Sequence, residues 1–515
     1  MARRAQPLTL AGGAAAIVVV VLVVGSLVAV LARAEGASLA PGDWAAVRFT
    51  LWQAAVSAVL SVGLAVPVAR ALARRRFPGR ALLVTLLGAP FILPVIVAIL
   101  GLLMVFGRAG WVNDLGGALG LSPVSVYGAH GVILAHVFFN LPLATRLVLQ
   151  GWQAIPAERF RLAAALGMSR HDIGRHIEWP MLRGVLPGAA LVVFLICTTS
   201  FAVALTLGGG PRATTIELAI YQAFRFDFEL GRAALLALLQ LAVTVGVGAL
   251  ALGVTVPEAL GRGLDRVVRR WDLGPAWWDG ACILLAAVFL LTPLLALLVR
   301  GVPSIAGLPA SVWVAAGHSI GVAVVSAVIC TATALVIAVA TARAGRNARG
   351  IELAGMLGLA ASPLVLGTGL FIVTYPFVRP DTLALPVTAL VNTVMALPFA
   401  LRALAPAVQR VESDYAPLAA SLAMSELVWV RRVLLPRLRR PLGFSAGLAA
   451  ALSMGDLGVI ALFADADSAT LPLQLYRLMG AYRMDDAAGA AVLLLALSLF
   501  AFWVFDRGGR VDADA

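Results

Sequence analysis

The chain has 515 residues, of which 61% are hydrophobic and 13% charged, and its mean hydropathy is +0.97. A soluble domain is nearer half apolar and a quarter charged, so these values exclude an ordinary soluble protein and indicate one embedded in a membrane. The positive charges behind the net charge of +13 are all arginines, and a chain without lysine cannot be a P-loop ATPase, because the Walker A loop needs a lysine to hold nucleotide phosphates.

Apolar runs of helical length follow one another along the chain and predict an all-α membrane protein with about twelve transmembrane helices. Each run is near the ~20 residues that cross a bilayer, and none shows the short alternation of an outer-membrane barrel. A basic start before the first run also fits a signal peptide, but this run is longer than most signals, so we expect a retained first span. The approximate centres of the spans are Val20, Val59, Val95, Leu134, Val193, Val243, Leu285, Val324, Gly367, Val391, Ala449 and Leu494.

Arginine clusters set the expected orientation. They follow the second, fourth, sixth, eighth and tenth spans, and alternating spans would place all of them on one side. By the positive-inside rule that side is the cytoplasm, and an even number of spans puts both termini there as well. We therefore interpret these arginines as topology signals and expect no nucleic-acid partner. They include Arg74, Arg75, Arg76, Arg80, Arg170, Arg175, Arg262, Arg266, Arg343, Arg346, Arg431 and Arg432.

The second part of the chain repeats the first, at a nearly constant offset. The matching strings are LPLATR (141–146) and LPFALR (397–402), IEWP (177–180) and VLLP (433–436), ATTI (213–216) and SATL (468–471), and the prolines Pro94 and Pro363. Their offsets are 256, 256, 255 and 269 residues, in that order. Two tandem repeats are therefore predicted, with a first half at 1–256, a cytoplasmic linker at 257–276 and a second half at 277–515. In membrane proteins, paired repeats usually frame a central pathway for a substrate.

Two loops, 152–186 and 410–440, are longer and more polar than the others and occupy equivalent places in the halves. Each has an alanine-rich stretch that favours helix, then a turn at Gly167 or Ala423. Each ends in a β-branched residue three positions before a proline, and proline disfavours helix in the residue before it. The endings are Ile177-x-x-Pro180 and Val433-x-x-Pro436. The pattern predicts a short helix on the membrane surface, held between two turns, that offers a side face to a cytosolic partner.

This loop pattern resembles the EAA loop of bacterial ABC importer permeases, EAA-x3-G-x9-I-x-LP, and the chain is similar to fused importers that carry both membrane halves. The resemblance implies the permease fold and a place in the bacterial inner membrane. It implies that the chain is not an enzyme and binds no cofactor, because ATP is used by a separate subunit. The implied partners are two copies of a cytosolic ABC ATP-binding subunit, a periplasmic substrate-binding protein and the lipid bilayer.

The residues that correspond to the EAA pattern are the expected ATPase-coupling residues. They are Arg161, Ala163, Gly167, Ile177 and Pro180 in the first loop and Ala419, Ala423, Val433 and Pro436 in the second. The acidic position of the pattern holds Arg161 and Pro417, and its glycine is Ala423 in the second loop. Alanine can form the turn, but a positive φ costs it energy. We therefore expect the two loops to couple unequally.

Four longer strings resemble the thiamine branch of this family and imply import of thiamine or its phosphates from periplasm to cytoplasm. They are ALARRRFPGR (71–80), VILAHVFFNLP (132–142), LGGGPRATTIELAIYQ (207–222) and MGDLGVIALF (454–463). Ferric-iron importer permeases share the fused plan, so iron or another small solute is an alternative substrate. An ion-driven secondary transporter is a further alternative, although it has no need of two docking loops.

Polar residues within or beside the apolar runs are candidates for the translocation pathway, because such groups are costly in a membrane. The candidates are Thr199, Ser200, Glu217, Ser453 and Asp456. Thiamine carries a cationic thiazolium. A carboxylate could offset the cost of removing this cation from water, and aromatic rings could attract it. The alternative is that Asp456 bonds the backbone near a helix end and Glu217 is a solvated loop residue.

The cysteines and histidines have no metal-ligand spacing, so we expect neither a disulfide framework nor a metal site.

Overall fold

The computed structural model describes residues 7–34, 36–87, 93–251, 267, 270, 272–359, 362–465 and 467–510. The described residues form helices and connecting loops, and no β-strand occurs among them. The helices are α1 Pro7–Ala34, α2 Pro41–Arg74, α3 Arg80–Leu86, α4 Val95–Phe106, α5 Trp111–Ala118, α6 Ala129–Ala154, α7 Ala157–Ala165, α8 Arg170–Ile173, α9 Trp179–Thr198, α10 Phe201–Leu207, α11 Ile216–Arg225, α12 Leu230–Ala251, α13 Ala276–Ser304, α14 Ala310–Arg343, α15 Ala348–Met356, α16 Pro363–Thr374, α17 Pro380–Ser421, α18 Glu426–Trp429, α19 Leu435–Met454, α20 Gly458–Phe463, α21 Leu471–Gly480 and α22 Met484–Arg510.

Within the described residues, eleven helices are long and apolar enough to cross a membrane, and one bent pair raises the number to twelve. The pair is Ala348–Leu359 with Pro363–Thr374, bent by 95°, so the ninth apolar run is not one straight span. Pro363 is the first residue of the second helix of the pair. Proline is tolerated there because the N–H that it lacks would have no partner within the helix. The third span begins at Val95, which the sequence placed at its centre, because the helix starts directly after Pro94. The predicted number of spans is confirmed.

The repeat in the sequence is also a repeat in the structure. In the first half α2 packs against α6 and α9, and in the second half α14 packs against α17 and α19. A hydrogen bond recurs between equivalent residues. The Thr50 hydroxyl accepts from the amide of Ile216 (2.9 Å), and the Ser319 hydroxyl accepts from the amide of Leu471 (2.8 Å). These bonds join the start of α11 to α2 and the start of α21 to α14.

The leading helix of each half packs on the other half. α1 contacts α14 and α16 besides its own α12, and α13 contacts α2 and α4 besides its own α22. Glycines allow these helices to approach closely. A Cβ on Gly101 in α4 would lie 2.7 Å from the carbonyl oxygen of Pro293 in α13, and a Cβ on Gly369 in α16 would collide with the carbonyl of Ser26 in α1. Small residues at such crossings let membrane helices gain packing energy, so the halves interlock.

Candidate functional site

The first loop, 152–186, contains a short helix between two turns, as predicted. α6 ends where Ile155 precedes Pro156 and takes an extended conformation, with φ −70° and ψ 119°. α7 follows, and its residues Phe160 and Ala163 are buried against the body of the protein. The opposite side of α7 is exposed, so the helix presents one face outward.

α7 ends in a turn that needs a left-handed residue. The amide of Met168 donates to the carbonyl of Ala163, and the amide of Gly167 donates to the carbonyl of Ala164, both at 3.0 Å. This pair of bonds is the Schellman motif, which places one residue at positive φ. Gly167 fills that position with φ +61°, a conformation that glycine adopts at little cost because it lacks a Cβ.

The second loop makes the same turn without glycine. The amide of Met424 donates to the carbonyl of Ala419 (3.0 Å), and the amide of Ala423 donates to the carbonyl of Ala420 (3.2 Å). Ala423 takes φ +50°, as the sequence predicted for a turn formed in spite of the energetic cost to alanine. The two turns therefore share their hydrogen bonds and differ in backbone strain.

The helix before the second turn corrects the sequence prediction, which gave each loop a separate short helix. α17 runs without a break over 42 residues and includes Pro417. The residue equivalent to Pro156, at the offset of 256, is Glu412. Because no proline forces the chain to extend there, the alanine-rich stretch of the second loop is the end of a long helix.

The prolines that end the two loop motifs also differ from the prediction, which placed a break before each of them. Both helices continue through a π-helical turn, Gly174–Glu178 in the first half and Val430–Leu434 in the second. The amide just before each proline donates five residues back, from Trp179 to Gly174 and from Leu435 to Val430. A wider turn moves the preceding carbonyls away from the proline ring, so the helix is not broken.

Four exposed leucines mark the outward faces of the loops. We call Leu162 with Leu166 the first leucine pair, and Leu418 with Leu422 the second leucine pair. Their exposed fractions lie between 56% and 68%, and the two pairs are equivalent at the offset of 256. Members of a pair are four residues apart, so they share one helix face. Sequence reasoning missed these leucines, although their spacing and their recurrence in both halves could have identified them.

The other predicted coupling residues mostly support this face from behind or from the side. Ala163 is buried, and Ala419 and Ala423 belong to the second turn. Ile177 and Val433 lie in the π-helical turns, directly before the helices that contain Pro180 and Pro436. Arg161 is exposed and lies 4.0 Å from Glu158.

Behind the first loop lies a group of charges, which we call the charge cluster: Arg70, Arg74, Glu178, Arg270 and Asp272. All of them except Arg70 are buried. Glu178 accepts from Arg70 Nε and Arg270 Nη1, both at 2.9 Å, and Arg270 Nε donates to Asp272 (2.7 Å). Arg74 donates to Asp272 as well, at 3.0 Å. Burial alone would raise the pKa of Asp272, but the hydrogen bonds and charges of Arg270 and Arg74 outweigh it and hold that pKa below its usual range.

The charge cluster ties the segment between the halves to the first loop. Arg270 packs its guanidinium over the ring of Phe160 in α7, 4.5 Å from the centroid. The expected linker covers 257–276, of which 257–266, 268, 269 and 271 lie outside the described residues. In the second half the residue equivalent to Arg74 is Arg343, which pairs with Glu412 (2.7 Å) and Glu426 (2.8 Å) of the second loop. The second loop is thus bonded directly by an arginine at the end of α14. The first loop is bonded by Arg70 of α2, whereas Arg74 reaches it only through Asp272 and Arg270.

On the far side of the same helices, both halves contain a broken helix. Thr199 and Ser200 separate α9 from α10, and Gly455 to Leu457 separate α19 from α20. The Thr199 hydroxyl donates to the carbonyl of Leu195 (3.2 Å). Such breaks leave backbone groups available where transporters bind their substrates.

Ser453, just before the second break, lies in a buried polar contact between three helices. Its hydroxyl accepts from Asn392 Nδ2 in α17 (3.0 Å) and donates to Ser326 in α14 (3.1 Å). These bonds satisfy the hydroxyl within the protein. Ser453 therefore helps to hold the broken helix in place.

The two candidate carboxylates have different surroundings. Asp456 lies in the second break and faces the amides of Gly458, Val459 and Ile460, which supports the alternative that it bonds the backbone near a helix end. Glu217 was expected as a solvated loop residue in the other alternative, and this was wrong, because it lies in the first turn of α11 and is 1% exposed. Within the described residues, one oxygen of each carboxylate is buried without a hydrogen-bond partner.

Aromatic rings from both halves meet near the breaks. Phe224 of α11 lies 4.4 Å from Phe371 of α16, measured between ring centroids, and Phe371 also contacts Phe463 at 5.4 Å. Phe201 of α10 lies 5.2 Å from Tyr221 of α11. A Cβ on Gly458 would be within 4 Å of both Phe201 and the Asp456 carboxylate, so rings and acid share one region. The sequence did not show which aromatic residues would gather there.

Comparisons with known proteins agree with these features. Residues 61–270 match the family described as "Binding-protein-dependent transport system inner membrane component". The chain is 41% identical over 490 residues to the thiamine transport system permease protein ThiP of Escherichia coli, covering 92% of this chain and 90% of that protein. It is 38% identical over 531 residues to ThiP of Brucella abortus, with 99% and 97% covered, and 34% identical over 471 residues to ThiP of Haemophilus influenzae, with 88% and 87% covered.

Proposed function

The chain belongs to the family of inner membrane components of binding-protein-dependent transport systems, and we propose that it is the permease subunit of an ABC importer for thiamine and its phosphates. The observation that carries the proposal is its similarity over nearly the whole length to the thiamine permeases of three organisms. The chain is a transport permease with about twelve membrane-spanning helices. ATP hydrolysis takes place on a separate subunit, and this chain binds no cofactor of its own.

Two copies of the ATP-binding subunit dock on the two loops, one on each leucine pair. Exposed leucines at equivalent positions support this arrangement, because one kind of partner can then make the same apolar contact twice. Gly167, Ala423 and the residues of the π-helical turns set the angle at which each pair is presented. The charge cluster and the Arg343 ion pairs transmit movement of the loops to α2 and α14.

The loops lie on the cytoplasmic side of the inner membrane, and so do both termini. The arginine clusters that follow alternate spans support this orientation. A periplasmic substrate-binding protein delivers thiamine to the opposite face. ATP binding and hydrolysis then shift the permease between inward-open and outward-open states, since the ATP-binding subunits bind the two states with different affinity.

Thr199, Ser200, Glu217, Ser453 and Asp456 belong to the region that the substrate passes. Of these, Asp456 and Glu217 keep a buried carboxylate oxygen without a partner among the described residues, so they can stabilise a cation there. The rings around Phe201 and Phe371 add faces that attract the thiazolium cation. Asp456 is the better candidate, because it lies in the break of a helix and beside Phe201.

Uptake of radiolabelled thiamine in the native host, with and without this chain, tests the proposal, and ferric iron serves as a parallel substrate. We expect thiamine uptake to be lost without the chain and iron uptake to continue. Intact thiamine uptake together with lost iron uptake would keep an ABC importer permease but overturn thiamine as its substrate. Purification of the chain together with an ATP-binding subunit would separate this class from an ion-driven transporter.

A further inference from the structure

A groove runs along the outside of the helix bundle between α3 and α13. Its volume is about 530 Å³. Apolar side chains line its length, with Leu82 and Leu86 from α3 facing Ile283 and Leu284 from α13. Leu82 and Leu284 are each 63% exposed, so the walls open outward. The groove shares no residue with the leucine pairs or the broken helices, and the proposed transport cycle does not use it.

One end of the groove is positively charged, because Arg75 and Arg76 line it. Arg75 is neutralised by Asp279, whose carboxylate lies 2.6 Å from its Nε. Arg76 is exposed and donates to the carbonyl of Val267 (3.2 Å), and no carboxylate in the described part of the chain lies within ion-pair distance of it. The guanidinium of Arg76 is therefore available to a phosphate.

The charged end lies where two spans end, which is the level expected for the membrane–water interface. α2 ends at Arg74 and α13 begins at Ala276, so two spans terminate there. Trp277 and Trp278 are exposed and in edge contact at 5.6 Å, and exposed tryptophans are typical of the interface. The α13 residues that line the groove extend from Ala276 to Leu291, a length of about 22 Å at 1.5 Å per residue. That is roughly the depth of one leaflet with its headgroup region.

We propose that the groove binds one anionic phospholipid, with its phosphate at Arg76 and an acyl chain between α3 and α13. A cation at the interface above an apolar channel of leaflet depth matches both parts of such a lipid. A zwitterionic lipid fits less well, because its own cation cancels part of the attraction. A soluble phosphate would leave the apolar channel uncovered. The lipid would bridge the halves, since α3 follows α2 of the first half and α13 leads the second. In the proposed orientation it belongs to the cytoplasmic leaflet.

The test counts lipids retained by the full-length chain in mild detergent, using native mass spectrometry with added phosphatidylglycerol, phosphatidylcholine or glycerol phosphate. Arg76→Gln removes the charge. Gly280→Leu places a side chain in the groove, and the Cβ of that side chain meets no atom within 4 Å. The matched controls are Arg349→Gln, an exposed arginine on α15, and Gly317→Leu, an exposed glycine on α14 that also has free space.

We expect the wild-type chain and both controls to retain one phosphatidylglycerol, and each groove variant to retain at least fivefold less. Phosphatidylcholine and glycerol phosphate should not replace it. Equal retention of both lipids, or an equal loss in the controls, would overturn the proposal. As a second measurement, phosphatidylglycerol should raise the thermal midpoint of the wild-type chain, because a ligand that binds only the folded state stabilises it. An equal rise in Gly280→Leu would also overturn the proposal, even if Arg76→Gln failed to fold.

Discussion

The two Schellman turns allow a substitution in one turn to be compared with the reverse substitution in the other. Ala423 and Gly167 occupy equivalent positions, with φ +50° and +61°. The left-handed conformation costs a non-glycine residue roughly 1–2 kcal/mol, whereas the extra freedom of glycine in the unfolded chain returns about 0.4–1 kcal/mol. The difference predicts that Ala423→Gly stabilises the second turn by about 0.5–1 kcal/mol. Gly167→Ala should destabilise the first turn by a similar amount, since an added Cβ there meets no atom within 4 Å.

Hydrogen exchange read by mass spectrometry measures this difference locally, on peptides that contain the amides of Met168 and Met424. Each of these amides donates to the carbonyl five residues before it and so closes the turn, and its exchange therefore follows the opening of the turn. A change of 0.5–1 kcal/mol corresponds to about two- to fivefold in protection, rising in Ala423→Gly and falling in Gly167→Ala. Gly345→Ala strains a distant turn at φ +55° and must leave both peptides unchanged. Lower protection in Ala423→Gly would refute the assignment of backbone strain to this position.

Three further predictions concern the loops, the charge cluster and the pathway. Alanine at both members of the first leucine pair should weaken retention of the ATP-binding subunit about thirtyfold, since each exposed leucine contributes on the order of 1 kcal/mol when buried. Leu353→Ala on α15, which is 63% exposed, should have no effect, and a pull-down titration decides between these outcomes. Arg270→Gln should lower the thermal midpoint of the chain, because breaking a buried ion pair costs about 3–5 kcal/mol. The loss should be partly recovered when Glu178 is also replaced by leucine, which is the residue at the equivalent position of the second half. The pKa of Asp272 is lower in the folded protein than its usual value of 3.8. The stability that its pairing with Arg270 contributes is therefore fully present above pH 3.8 and is lost only as the pH falls through the lower folded pKa. A stability difference between Arg270→Gln and wild type that vanished already at about pH 6 would contradict this assignment. Asp456→Asn should abolish thiamine-stimulated ATPase activity and uptake while the purified chain stays folded, and Asp465→Asn, an exposed neighbour, should leave both unchanged; normal uptake by Asp456→Asn would remove this residue from the pathway.

The sequence by itself determined the repeat, the number of spans and the turns of the loops. These features depend on local chemistry. A run of apolar residues must form helix in a membrane, because its backbone has no other partner. Gly167 and Ala423 could be placed in a turn because the residues around them match at a fixed offset. The predicted breaks before Pro180 and Pro436 were wrong because a π-helical turn accommodates a proline that an α-helix would not. The separate short helix predicted for the second loop was wrong because α17 continues into it.

Only the tertiary structure decided which helices meet. It placed α1 and α13 on the opposite halves, and it placed Arg270 and Asp272 of the segment between the halves against Glu178. The sequence could not show this, because helices in a membrane are apolar on the faces toward lipid as well as on those toward protein, and hydrophobic periodicity no longer marks the buried side. The burial of Glu217 was likewise not visible in the sequence, because the helices that pack on α11 include α16, which lies far along the chain.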